Sequence, residues 1–326
     1  MTLDTGTKSA AVLSRRDFLW LAAGTLLLSS GCERLLEPKP RIGLALGGGG
    51  AKGLAHIAML EVLDELEVKP SIIAGTSIGA IIGALYAAGL SGADIRALIE
   101  QFLVDKGKAG EQLIPMPRSL RWLDFIDPTL AEGALLDSTD FISFLAETIP
   151  ARRFRDLDIQ LKVVTTELWS GQAVVLESGE LLPALQASMA LPGVFSPVEI
   201  GGRQLVDGGV SNPLPYDLLL DESDLVVAID VSGDRKRDGD DGLSFLGILF
   251  HSFHTMSRNI LAEKLKQRQP HVYIRPDITN VRVLEFYKAA QVFEESLPAS
   301  RQLKKTLRKI SPKSRGLPGC TMAASE

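Results

Sequence analysis

Cysteine is nearly missing from this 326-residue sequence, which holds only Cys32 and Cys320. Two cysteines this far apart exclude a zinc site of the usual spacing. Histidine is scarce as well: His56, His251, His254 and His271 are the full set, and none has metal-ligand company. Positive charge is not in excess, with 35 Lys and Arg against 40 Asp and Glu, a net charge of -5. That balance argues against nucleic acid as a general partner. No internal repeat is present. The apolar run Phe18–Leu28 is too short to span a bilayer comfortably. What remains is an ordinary globular composition, 45% hydrophobic and 23% charged. Beyond the N-terminal segment about 290 residues are left, ample for one core.

Against this background Gly75-Thr76-Ser77-Ile78-Gly79 stands out. An apolar run, Ser71–Ala74, leads into it, and the small, apolar run Ala80–Ala88 follows. Strand, Gly-flanked turn with Ser at its tip, then helix, is the pattern of a nucleophile elbow. The glycines permit close backbone approach and unusual dihedrals. The helix start then points N–H groups at a developing negative charge. Alone, the pentapeptide is a weak signal; its flanks and two further motifs strengthen it.

Upstream, Arg41–Leu46 reads as a short buried strand. It runs into Gly47-Gly48-Gly49-Gly50-Ala51-Lys52-Gly53, with a helical pattern to Glu67. A glycine loop at a helix N-terminus offers free N–H donors to an anion. A P-loop would need Gly-Lys-Ser/Thr, and Gly53 follows Lys52 instead. A dinucleotide fingerprint fits Gly48, Gly50 and Gly53 but lacks the acidic residue at the end of the next strand. An oxyanion hole, one strand before the nucleophile, is the reading that survives. Downstream, Gln204-Leu205-Val206-Asp207-Gly208-Gly209 places a carboxylate at the end of a short strand. By itself Asp-Gly-Gly is an ordinary turn signal.

Taken together with Ala187-Ser188-Met189-Ala190-Leu191-Pro192-Gly193-Val194-Phe195, these motifs resemble, in order and approximate spacing, the bacterial patatin-like phospholipases. The resemblance covers roughly residues 41–231. Lys52 stands where many members carry Arg, a small departure because both are cationic. The resemblance implies an α/β, three-layer fold with a mainly parallel central sheet flanked by helices. It implies a Ser–Asp dyad: Ser77 as nucleophile, Asp207 as base, and the N–H groups of Gly48, Gly49 and Gly50 as oxyanion hole. Lys52, Gly53, Gly75, Gly79, Gly208 and Gly209 support the motifs. Expected substrates are acyl esters of phospholipids, lysophospholipids or related lipids, with no cofactor and no metal; the oligomeric state is left open.

A serine hydroxyl needs an adjacent base to become a good nucleophile. A carboxylate suffices when geometry is pre-set and the oxyanion well stabilised, since one oxyanion donor is worth about 10²–10³ in rate. A Ser-His-Asp carboxylesterase is the competing mechanism, and the order Ser77, Asp207, then His251, His254 or His271 permits it. His56, just after the glycine loop, reads as a packing or loop-bracing residue. A non-catalytic acyl-lipid-binding envelope protein is the alternative outside enzymology.

Residues 1–32 read as a signal segment. Ser14-Arg15-Arg16-Asp17-Phe18-Leu19 matches the twin-arginine export signal. Leu28-Ser29-Ser30-Gly31-Cys32 resembles a lipobox, with Leu one place further back than usual. Cleavage before Cys32 and lipidation of its thiol would hold the protein on a membrane. The expectation is a membrane-anchored lipoprotein of the bacterial envelope facing the periplasm, with residues 33–40 as polar tether; a cleaved soluble periplasmic form and an uncleaved helix acting as the anchor are the alternatives. With Cys32 lipidated, Cys320 stands alone and no structural disulfide is expected.

Residues 41–310 are expected to form one domain and 311–326 a disordered tail. Helices are expected over Ser91–Leu103, Ser138–Ile149 with Ser138 as cap, Leu181–Ala190, Leu243–Lys266 and Glu285–Leu307. Strands are expected over Gln160–Leu168, Gln172–Leu176, Leu225–Val231 (a central one) and His271–Ile274. Strands alternating with helices imply a mainly parallel sheet. Val104–Ala134, holding the mixed stretch Arg118–Ile126, reads as a lid or lipid-interface segment, or equally as a packed amphipathic cap. By resemblance Leu191–Pro197 helps line the acyl pocket.

Overall fold

The computed structural model describes residues 40–111, 139–234 and 245–310. Eight strands form one sheet among these residues: β1 Ile42–Leu46, β2 Ile72–Thr76, β3 Gln160–Glu167, β4 Ala173–Leu176, β5 Val198–Ile200, β6 Arg203–Asp207, β7 Leu225–Ile229 and β8 Val272–Ile274. Their order is β5-β6-β3-β2-β1-β7-β8, with β4 paired to β3 off this path. The pairs β3–β2, β2–β1, β1–β7 and β7–β8 are parallel. The pairs β3–β4, β3–β6 and β5–β6 are antiparallel.

Near-continuous apolar runs make the parallel strands because both faces of such a sheet are covered. Side chains alternate between faces along a strand. Leu44, Leu46, Ile73, Leu161, Val163, Val227 and Ile229 join one core cluster. It includes residues of α1 (Ala55–Glu65), α2 (Ile78–Ala87) and α7 (Ala289–Ile310). Ala45, Ile72, Ala74, Val226 and Ala228 join the other, with Tyr216, Leu219 and Leu261 of α6 (Phe245–Gln267). This gives helix, sheet and helix in three layers. The second face carries small residues, so the covering turn comes close; a Cβ on Gly43 would stand 2.5 Å from the Ser223 hydroxyl.

Three more helices complete the described fold: α3 Gly92–Glu111, α4 Thr139–Thr148 and α5 Leu181–Ser188. Most expected elements fall within a few residues of those observed. The first helix is a correction: residues Gly50–Leu54 wind as a 3₁₀ turn, and the α-helix ends at Glu65 rather than Glu67. Glu67 has φ 53°, which ends the helix. The strand β7 lies next to the β8 edge, and β1 and β2 are the more central strands. β5 was not expected; its signal is the Gly201-Gly202 turn, with φ 60° and 74°, before β6. Val104–Glu111, part of the expected lid, continues α3. Its remainder, the cap Ser138, the signal segment, the tether up to residue 39 and the tail lie outside the described residues.

Candidate active site

β2 ends at Thr76, and α2 begins at Ile78. Ser77, between them, has φ 55° and ψ -126°, a strained conformation for a residue with a side chain. The flanking glycines make it possible. A Cβ on Gly75 would lie 2.5 Å from the Ala80 Cα, and one on Gly79 would overlap the Leu46 carbonyl. Gly53 packs so close to Ile78 that any side chain there would overlap it.

Asp207 arrives by the register of the sheet. Val163 and Val164 pair with β2 and with β4, so β2 and β4 flank opposite edges of β3. Thr165 and Thr166 pair with β4 and with β6, so β6 too lies opposite β4. β2 and β6 therefore meet end to end along one edge of β3. Thr76 faces Val164, and Asp207 faces the next residue, Thr165. The turn past β2 and the last residue of β6 are brought together by one continuous strand.

The Ser77 hydroxyl stands near enough to the Asp207 carboxylate to favour its charged form. Asp207 is 3% exposed and accepts from the Gly209 N–H at 2.7 Å. Burial pushes its carboxyl up to about 6, and the Gly209 N–H and the nearby Ser77 hydroxyl only partly oppose the shift. A carboxyl so placed is a stronger base than a solvated one. Gly208 is required because a Cβ there would overlap the Val164 carbonyl. Phe253 of α6 stands against Gly209, and Ser257 donates to the Gly209 carbonyl at 3.0 Å.

The glycine loop packs against the elbow: a Cβ on Gly48 would lie 3.4 Å from the Ser77 Cβ. Its backbone is held at several points. The Gly47 N–H donates to Ile229 at 3.1 Å, and the Ala51 N–H to Val283 at 2.8 Å. The Gly48 N–H donates to Pro213 at 2.9 Å. Of the three N–H groups expected to form an oxyanion hole, that of Gly48 is thus already engaged. Gly49 and Gly50 donate to no backbone carbonyl among the described residues. Lys52 is buried, its stem lying beside Gly233, whose φ of 63° suits a residue without a side chain.

Ser188 is the residue that sequence reasoning missed. Its buried hydroxyl donates to Val164 at 2.6 Å and accepts from the Ser77 N–H at 2.9 Å. It lay within a quoted motif, but nothing in a sequence reveals a bond reaching from α5 to both β3 and the elbow. Just after it, the Ala190 carbonyl accepts the Asp207 N–H at 2.9 Å, tying this segment to the base.

His56 and His271 are engaged with backbone groups. His56 braces the loop, its Nε2 standing 2.8 Å from the Gly47 carbonyl. His271 Nδ1 accepts from the Val226 N–H at 3.0 Å. His254 is pushed down to about 4 by burial and by the nearby Lys52 and Arg258 cations. Among the described residues no histidine acts on the Asp207 carboxyl. No helix of the described residues is long and apolar enough to cross a membrane, and no three His, Cys, Asp or Glu among them form a metal-holding group.

Comparison with known proteins follows the same line. A family model described as patatin-like phospholipase matches residues 44–220, which hold the glycine loop, Ser77 and Asp207. An uncharacterized NTE family protein of Mycobacterium tuberculosis is 32% identical over 195 residues, 60% of this chain and 50% of that protein. Lysophospholipase NTE1 of Saccharomyces cerevisiae is 26% identical over 283 residues, 80% of this chain and 16% of that protein. Among solved structures, VipD from Legionella pneumophila has a TM-score of 0.46 at 16% identity, covering 82% of this chain and 67% of that one. The chain spans half or less of the length of these two curated relatives. With more than half of its residues matched by the family model, the chain belongs to the patatin-like phospholipase family.

Proposed function

We propose that the chain is a serine acyl hydrolase acting on acyl esters of phospholipids, lysophospholipids or related lipids. One observation carries this reading: the register of β3 brings Ser77, on a strained elbow, beside the buried carboxylate of Asp207. Ser77 Oγ attacks the acyl carbonyl carbon, and its proton passes to Asp207. The carbonyl oxygen becomes an oxyanion, held by the N–H groups of Gly49 and Gly50 near the start of α2. The ester bond breaks, and the alcohol leaves with the proton from Asp207. Water then attacks the acyl-enzyme, again giving its proton to Asp207, and Ser77 leaves the acyl carbon to regain its hydrogen. These steps call on no cofactor. The name of the yeast relative, a lysophospholipase, supports lysolipids among the substrates.

The twin-arginine pattern at Ser14–Leu19 and the lipobox-like Leu28–Cys32 support export, with Cys32 lipidated and the domain held at a membrane surface in the periplasm. Labelling of the full-length protein by a fluorophosphonate tests the catalytic reading. Wild type should label, Ser77→Ala should not, and Asp207→Asn should label far more slowly. A folded wild type that fails to label would favour the lipid-binding alternative. A His→Ala variant as inert as Ser77→Ala would favour the triad.

A further inference from the structure

His56 is fully buried on α1, behind the glycine loop. Its Nε2 lies 2.8 Å from the Gly47 carbonyl, which can only accept, so the ring proton sits on Nε2. The other nitrogen, Nδ1, is buried without a hydrogen-bond partner among the described residues. Filling a core position with a ring that leaves one nitrogen unpaired is costly, and an aliphatic side chain would fill the space without that cost. What the histidine adds is one N–H aimed at one peptide.

That peptide joins Gly47 to Gly48. Its carbonyl is held by His56, and its N–H by the Pro213 carbonyl. The loop is also held by Gly47 N–H to Ile229 before this peptide and by Ala51 N–H to Val283 after it. The fixed points bracket Gly49 and Gly50, the donors assigned to the oxyanion. Consecutive glycines rotate freely. An oxyanion hole works only when its donors are aimed before charge develops. We propose that His56 is a positioning residue, whose Nε2–H locks the Gly47–Gly48 peptide and so pre-aims the Gly49 and Gly50 N–H groups at the transition state. On the acyl-hydrolase reading it never touches the substrate, so its loss should lower kcat and leave KM nearly unchanged.

The test uses the full-length protein with p-nitrophenyl butyrate as substrate and a fluorophosphonate as probe. A Gln amide nitrogen can stand where Nε2 stands; that of Asn falls short. His56→Gln should keep kcat within about fivefold, whereas His56→Asn should lose roughly 10²-fold in kcat and labelling rate, the scale of one oxyanion donor, with KM within about twofold. An Asn variant as fast as wild type, or a Gln variant as slow as Asn, overturns the proposal. Nitrogen-15 NMR of the wild-type histidines decides the point even if the variants do not fold. An Nε2–H tautomer, neutral at pH 5, is expected, and a proton on Nδ1 overturns the proposal. A wild type that neither labels nor hydrolyses overturns the acyl-hydrolase reading and this proposal with it, while an active wild type with a fast Asn variant overturns this proposal alone.

Discussion

The two members of the proposed dyad come from regions built differently. Ser77 follows a strand of the parallel core, where β1, β2 and β7 are buried on both faces and the turn is written by Gly75 and Gly79. Asp207 ends an antiparallel hairpin strand that is paired to β3 and lies next to the β5 edge. The nucleophile is thus a product of local backbone chemistry. The base is a product of register, since a slip of one residue would turn the carboxylate to the opposite face. A shift in the register of β6 would therefore move Asp207 away from Ser77 while leaving the elbow itself as it is.

The largest effect expected separates the two regions by chemistry. Asp207→Asn keeps the shape and removes the base, so turnover should fall by about 10⁴-fold, as for the loss of a base or its orienting group elsewhere. Stability should move the other way. Because the folded carboxyl is raised to about 6, its favourable contribution is complete below the usual value near 3.8 and lost as pH rises through 6. At pH 8 the Asn variant should therefore melt no lower than wild type, which thermal unfolding at pH 5 and pH 8 would check.

The same shift sets the pH profile. Only the ionised carboxylate takes a proton, so kcat/KM should rise with pH through a midpoint near 6 and level off above 7. A profile flat from pH 5 to 8 would contradict Asp207 as the base. His56, pushed down to about 4 by burial, is neutral when folded and stabilises the fold above pH 6.5, an effect lost as pH falls through 4. The two groups thus act in opposite directions between pH 4 and 6, and stability should vary less across that window than either alone would give.

Ser188→Ala probes the seam between the regions. It leaves the Ser77 N–H and the Val164 carbonyl without their shared partner, at a cost of about 1–3 kcal/mol in denaturant unfolding. Labelling by a fluorophosphonate should slow about tenfold, because the elbow loses its tie to α5.

The smallest effect sits at the far end of the hairpin. Gly201 has φ 60° and nothing near a would-be Cβ, so only backbone strain opposes substitution. Gly201→Ala should cost about 1 kcal/mol, Gly201→Asn less, since Asn tolerates this conformation. Both should keep kcat within twofold; a larger loss would show that the turn itself tunes the position of Asp207.

Sequence alone determined the elements that are local. Apolar runs marked the buried strands, helical periodicity marked the covering layers, and the glycines around Ser77 announced a turn that only they permit. The glycine loop was legible too, because four consecutive glycines have few other uses, and so was the bracing role of His56, one helical turn beyond that loop. Tertiary structure decided what depends on groups far apart in the chain. The Pro213 carbonyl takes the Gly48 N–H, while Gly49 and Gly50 donate to no backbone carbonyl among the described residues. Ser188 reaches both Val164 and Ser77. Asp207 meets Ser77 because two strands share one edge of β3. A sequence records which backbone conformations and faces are affordable residue by residue, whereas the partner of each hydrogen bond is chosen only when the sheet closes its register.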